Sequence, residues 1–149
     1  MTAAYYLSLM GHQVTVYEQR PKLGGMLRYG IPDYRLPQEI LDRDIDHILS
    51  AGVRVHTGVS IGRDLTMEDI QKSFDAVYIA IGAHNDKKLG LEGEDSQNVI
   101  SAVELLRGIG EGQVPDFTGK KVCVIGGGNV SMDATRTAIR LGASAVTCV

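Results

Sequence analysis

VCVIGGGNVSMDATRTAIRLGASAVTCV, residues Val122–Val149, decides the fold. Val122–Ile125 is an apolar, β-branched run that reads as a strand. Gly126–Gly128 interrupts it, a helical pattern begins around Asn129, and ASAVTCV beyond Gly142 reads as a second strand. Strand, glycine turn, helix and strand make a β-α-β unit, whose crossover helix makes the two strands parallel. Gly126, Gly128 and Ser131 stand at the spacing G-x-G-x-x-(small). The first glycine permits the tight turn, the second lets a pyrophosphate reach the backbone, and a small third residue lets helix and strand pack closely. Free N–H groups and the helix dipole favour an anion at such an N-terminus. Ser131 stands where Gly or Ala is usual. The alternative is the same turn with no ligand. The residue that reads the ribose 2′ position belongs after the next strand. The sequence stops at Val149, in that strand, so it does not distinguish NAD from NADP.

Upstream the pattern repeats in part. TAAYYLSLM predicts a helix stopped by Gly11, and QVTVY (Gln13–Tyr17) alternates as a strand ending at Glu18. Gln38–Ser50 predicts a helix with Leu41, Ile45, Ile48 and Leu49 on its apolar face, while Asp42, Asp44 and Asp46 face solvent. GVRVHTGV reads as a short strand, and Thr66 with Asp69 as a capping box for a helix to about Phe74. DAVYIAIGA (Asp75–Ala83) is apolar almost throughout, the pattern of a strand buried on both faces of a parallel sheet. His84–Asn98 reads as a connection, Ser101 and Glu104 as a second capping box, and GEGQVPDFTGK as a linker. Two β-α-β patterns imply an α/β fold of two incomplete Rossmann-like dinucleotide-binding units.

Composition narrows the function classes. The 149 residues are 44% hydrophobic and 22% charged, with 18 glycines, which is globular composition. A net charge of −3 argues against nonspecific nucleic-acid binding. No apolar run reaches a membrane span, and no basic residue precedes Arg20 to make a signal peptide, so the cytoplasm is the expected compartment. Cys123 and Cys148 form no metal-ligand pattern and read as buried, inert thiols. His12, His47, His56 and His84 show no partner pattern, so no catalytic side chain and no metal site is assigned.

Between the first strand and the Gln38 helix lies EQRPKLGGMLRYGIPDYRLP, Glu18–Pro37. It holds three of the four prolines, three glycines and four positive charges, Arg20, Lys22, Arg28 and Arg35. That is too much Pro and Gly for a regular helix or strand, and too many leucines and tyrosines for disorder. A rigid basic loop of this kind is a binding loop. Read from the residues alone, Glu18 is as well a solvated strand end, Gly24 and Gly25 a plain turn, and Arg20, Lys22 and Arg28 surface charges.

VTVYE, LGGMLRYGIPDYRLP, DAVYIAIGA and GGGNVSMDATRTAIRLGA, in this order, resemble the FAD- and NAD(P)-dependent flavoproteins typified by the glutamate synthase small (β) subunit. The flavoprotein half of dihydropyrimidine dehydrogenase and the NADH-dependent ferredoxin:NADP oxidoreductases are similar. The resemblance covers nearly the whole chain, and GGMLRYGIPxYRLP is more specific than either glycine turn. It implies residues 1–84 as a partial FAD-binding domain lacking its first strand and GxGxxG turn. Residues 85–117 become a connection with a short helix, and 118–149 the start of an NAD(P)-binding domain. It implies that Glu18 holds the adenosine ribose, that Gly24, Gly25 and Met26 approach the flavin nucleotide, and that Arg35 contacts FAD. Ile61 falls near the adenine and Gly82 where the cofactor domains approach each other. Gly126, Gly127, Gly128, Asn129, Val130 and Ser131 form the NAD(P) phosphate turn.

The implied function is an oxidoreductase passing hydride from NAD(P)H to FAD and electrons onward through iron–sulfur centres. Those centres lie in a missing region or in a partner, an iron–sulfur domain or large subunit. Flavoproteins with a redox cysteine pair after the GG segment are disfavoured, because GGMLRYG has no Cys. Two other readings stand beside this one. One is a single-cofactor NAD-dependent dehydrogenase, which leaves the loop unexplained. The other is a non-catalytic truncated fragment or interaction module that binds FAD weakly or not at all by itself.

Overall fold

The computed structural model describes residues 1–149. They form two compact units. The first comprises Met1–Gly25 and Gln38–Gly82, the second Met26–Pro37 and Ala83–Val149.

In the first unit, α1 (Thr2–Leu9) precedes β1 (Thr15–Glu18), and α3 (Gln38–Leu49) precedes β2 (Arg54–Thr57). β1 and β2 pair in parallel with Thr15 opposite Arg54 and Glu18 opposite Thr57. Parallel pairing needs a long crossover, and α3 lies in it. The predicted face of α3 is the one that packs: Leu41 and Ile45 are buried, as are Ala4 of α1, Val53 and Ile70. Gly11, at φ +92°, turns the chain out of α1 in a conformation that side chains disfavour. Thr66 and Asp69 form the expected reciprocal box at the start of α4 (Met67–Ser73).

The second unit holds α2 (Met26–Tyr29), α5 (Ala102–Gly110), β3 (Lys121–Val124), α6 (Asn129–Arg140) and β4 (Ala145–Cys148). β3 and β4 pair in parallel, Lys121 opposite Ala145 and Val124 opposite Cys148. Tyr29, Leu106, Val124, Ala134 and Ala138 are its buried apolar residues. The connection expected around 85–117 does carry one helix, α5, whose N-cap Ser101 accepts from the Glu104 N–H.

Four expectations are corrected. DAVYIAIGA is not a strand: residues 76–83 join no ladder, with Tyr78, Ile79 and Ile81 exposed by 72%, 68% and 80%. The strands of this unit, β1 and β2, pair with each other, and the run joins neither. The opening loop contains a single helical turn, α2, between the glycines at 25 and 30. Arg28 is buried and not a surface charge, because α2 lies against α5 and Gly110 lacks the Cβ that would meet the Arg28 carbonyl at 2.9 Å. That contact also explains why residues 26–37 group with the second unit. Cys123 and Cys148 are both exposed free thiols. Alternation along β3 turns Val122 and Val124 inward and leaves Cys123 on the outer face.

Candidate dinucleotide site

The turn after β3 is built by its glycines. Gly126 stands at φ +120°, where a side chain is strained, and donates its N–H to the Val149 carbonyl beside β4. A Cβ on Gly126 would lie 2.8 Å from Ser131 Oγ, so the small residue of the motif packs directly over the turn. Gly127 and Gly128 have nothing within 4 Å of where their Cβ atoms would be. This open ground lies at the start of α6. Gly128 is the N-cap, extended at φ −82° and ψ 179°, and no side chain caps the helix. The first-turn N–H groups are thus left without a side-chain partner, as an anion site requires. Asn129 and Val130 are exposed and Ser131 is half-buried. The six residues expected to form the phosphate turn are therefore together, in strand–turn–helix context.

One turn into α6 sits a charged cluster. Asp133 is buried, with only 7% of its surface accessible. Its Oδ1 accepts from Arg35 Nε in an ion pair and from the Tyr34 hydroxyl at 3.2 Å. The Arg140 guanidinium lies 4.0 Å from the centre of the Tyr34 ring, a cation–π contact. Bonding to Asp133 raises the Arg35 pKa above the usual arginine range. Arg35, expected to contact a cofactor from a rigid binding loop, is tied to α6 through Nε; its side chain remains 38% exposed. Tyr34, Asp133 and Arg140 were not singled out by their sequence pattern. Asp133, Ala134, Thr137 and Ala138 are the buried residues of α6. The i, i+4 spacing of Asp133 with Thr137, next to that of Ala134 with Ala138, was the available signal that Asp133 faces inward.

Of the remaining expected residues, all but Met26 belong to the first unit. Glu18 ends β1 half-buried, and its Oε1 accepts the Arg20 N–H at 2.8 Å. Gly24 and Gly25 take φ +122° and +52°, so glycine is required there by the backbone itself. Met26 opens α2. Ile61 is 38% exposed in a turn where it bridges Leu65. Gly82, at φ +70°, ends the first unit. The two cysteines cannot form a disulfide across the sheet. Cys123 is opposite Thr147 and Cys148 opposite Val124, which places them on opposite faces.

Comparison with known proteins gives a consistent result. A family model described as pyridine nucleotide-disulphide oxidoreductase matches residues 1–149. The β subunit of an NADP(+)-dependent formate dehydrogenase from Moorella thermoacetica is 43% identical, over 98% of this chain and 21% of its own length. The glutamate synthase [NADPH] small chain of Escherichia coli is 33% identical, over 99% of this chain and 34% of its own. FprA from Mycobacterium tuberculosis, solved in complex with NADPH, superposes with a TM-score of 0.80 at 22% identity, over 98% of this chain and 39% of its own. That likeness shows the fold. The chain thus spans between about a fifth and a third of the curated relatives named here.

Proposed function

Because the chain belongs to the pyridine nucleotide-disulphide oxidoreductase family, we propose that its β3–turn–α6 segment binds the diphosphate of NADPH. We propose further that the protein it represents is a flavin-dependent oxidoreductase. The observation that carries this is the uncapped α6 N-terminus with open space over Gly127 and Gly128, in a chain matched by the family along its whole length. The choice of NADPH is supported by the names of the relatives, a glutamate synthase [NADPH] small chain and an NADP(+)-dependent formate dehydrogenase subunit.

In this reading Gly126 sets the turn, Gly127 and Gly128 admit the diphosphate, and the N–H groups of Asn129, Val130 and Ser131 hydrogen-bond it. Glu18, Gly24, Gly25, Met26, Arg35, Ile61 and Gly82 are the residues proposed for the FAD side. Glu18 accepts hydrogen bonds from the ribose, and the exposed part of the Arg35 guanidinium attracts phosphate. The bound cofactors supply hydride transfer from nicotinamide to flavin, and the protein's part is to hold and orient them. Onward transfer through iron–sulfur centres outside residues 1–149 completes the proposal. It is supported by the designation of two relatives as a β subunit and a small chain.

The test is a fluorescence titration of the purified 149-residue chain with NADPH and NADH, followed by absorbance spectra with added FAD. Saturable NADPH binding that is lost in Gly128→Val is the expected result. A chain that folds and gives no saturable signal with either nucleotide overturns the assignment of the turn. A tight stoichiometric FAD complex would overturn the expectation that this chain alone holds FAD weakly.

A further inference from the structure

Asp133 poses an electrostatic problem. The helix N-terminus attracts negative charge, and Asp133 lies four residues beyond Asn129, about 6 Å along the axis. A buried carboxylate there competes with an incoming anion for the same positive potential and repels it directly. Two unit charges about 10 Å apart at a surface-like dielectric alter binding by about tenfold. The structure shows what offsets the repulsion. Arg35 Nε and the Tyr34 hydroxyl both bond Asp133 Oδ1, and Arg140 lies over the Tyr34 ring. All of these residues are in the second unit.

We propose that Arg35 is a positioning residue for the nucleotide turn: by neutralising buried Asp133 it makes the α6 N-terminus receptive to a diphosphate, and it fixes the YRLP corner on the same helix. The inference deepens the reading of the turn as a nucleotide site and rests on it. Arg35 then acts through Asp133 and need not touch the diphosphate. Its effect is one of charge, so it can be separated from a packing effect by removing the carboxylate as well.

The experiment is a double-mutant cycle on the 149-residue chain, with NADPH and inorganic pyrophosphate as separate probes. NADPH is followed by its fluorescence, and pyrophosphate by the amide shifts of Gly126–Ser131. Arg35→Met is expected to weaken both ligands about tenfold. Asp133→Asn, which leaves the Arg35 charge in place, should bind at least as tightly as wild type, and R35M/D133N should recover to within about threefold of wild type. A double variant as weak as R35M, or an R35M within twofold of wild type, overturns the proposal. If R35M does not fold, the swap R35D/D133R keeps the pair and puts the positive charge on the helix. It should bind at least as tightly as wild type, and a tenfold loss overturns the proposal. A cycle that holds with pyrophosphate while NADPH fails to bind retires the nucleotide reading and keeps the electrostatic one. NADPH binding indifferent to the pair does the reverse, and a wild-type chain that binds neither overturns both.

Discussion

Two apolar runs of the same character end differently. VCVI, Val122–Ile125, contributes β3 and pairs along β4, with Val124 buried against α6. AVYIAI, Ala76–Ile81, is as apolar and carries as many β-branched residues, three, yet it makes no ladder and leaves Ile81 80% exposed. Composition does not separate them. What separates them is a partner: β3 pairs with β4, about twenty residues beyond it, whereas the 76–81 run pairs with neither β1 nor β2. A strand pattern states that a segment is fit to be buried in a sheet, and says nothing of which neighbour buries it.

The largest expected contrast is in hydrogen exchange. Amides of residues 122–124 and 146–148 should exchange at least about a hundredfold more slowly than those of 76–82, since laddered amides open only with their unit. Equal protection would show that the 76–82 run has found a partner and would erase the difference between the two runs. Polar substitution sharpens the same point: Ile81→Lys should leave thermal stability within about 0.5 kcal/mol, as an exposed position does. Val124→Lys, in contrast, should prevent the second unit from folding, because it buries a charge without a partner.

The second unit also depends on a close backbone approach. Gly110→Ala places a methyl 2.9 Å from the Arg28 carbonyl and 3.1 Å from Tyr29 Cα, backbone atoms that cannot swing aside. Overpacking of this kind outweighs the helix-propensity gain, for a net loss of about 1–2 kcal/mol. Gly108→Ala is the control. Its Cβ meets nothing closer than 3.8 Å, so the same change on the same helix should be neutral or stabilising by up to about 1 kcal/mol. Denaturant titration of both variants decides the matter, and a Gly110→Ala as stable as Gly108→Ala would mean that α2 is not seated on α5.

The features readable in advance share a property: each is encoded within a few residues. The helices other than α2, the strands β1, β2, β3 and β4, both N-caps, the glycine turn and the parallel α/β class all follow from local pattern, and the match to FprA bears out the class. The likeness to the glutamate synthase small subunit rested on VTVYE, LGGMLRYGIPDYRLP, DAVYIAIGA and GGGNVSMDATRTAIRLGA in that order, and is borne out at 33% identity. What local pattern missed depends on distance along the chain. Asp133 meets Arg35 across 98 residues, Gly110 meets Arg28, and the solvent side of β3 is known only when its sheet has two strands and one covering helix. The α2 turn escaped because Gly25 and Gly30 bracket four good helix formers, a segment shorter than a periodicity window.

In the first unit the caps offer a smaller test. Thr66 Oγ1 accepts from the Asp69 N–H at 3.1 Å, and the Asp69 side chain accepts from the Thr66 N–H at 3.3 Å. Thr66→Ala removes the first bond and should cost about 1 kcal/mol. If the first unit melts independently of the second, only the first transition should move. A shift of both transitions together would make the chain one cooperative body and remove the basis for comparing its halves.

The smallest effect expected is a pH dependence confined to the first unit. Asp64 closes the turn around Ile61: its carboxylate takes a hydrogen bond from Arg63 and another from the Ser60 N–H at 2.8 Å. The Arg63 hydrogen bond, and after it the Ser60 N–H, lower the Asp64 pKa from 3.8 to about 2. A carboxylate whose folded value is depressed stabilises the fold fully above its unfolded value, and the contribution disappears as pH falls through the folded value. The window therefore runs from about pH 4 down to about pH 2. Because the ion pair is solvent-exposed, the change in stability is small and shrinks with salt. The Ser60 amide shift reports it directly: its titration midpoint should lie near 2 in the wild type and rise toward the ordinary carboxylate value in Arg63→Met. A wild-type midpoint already at the ordinary value would mean that the 60–65 turn is not closed by this pair.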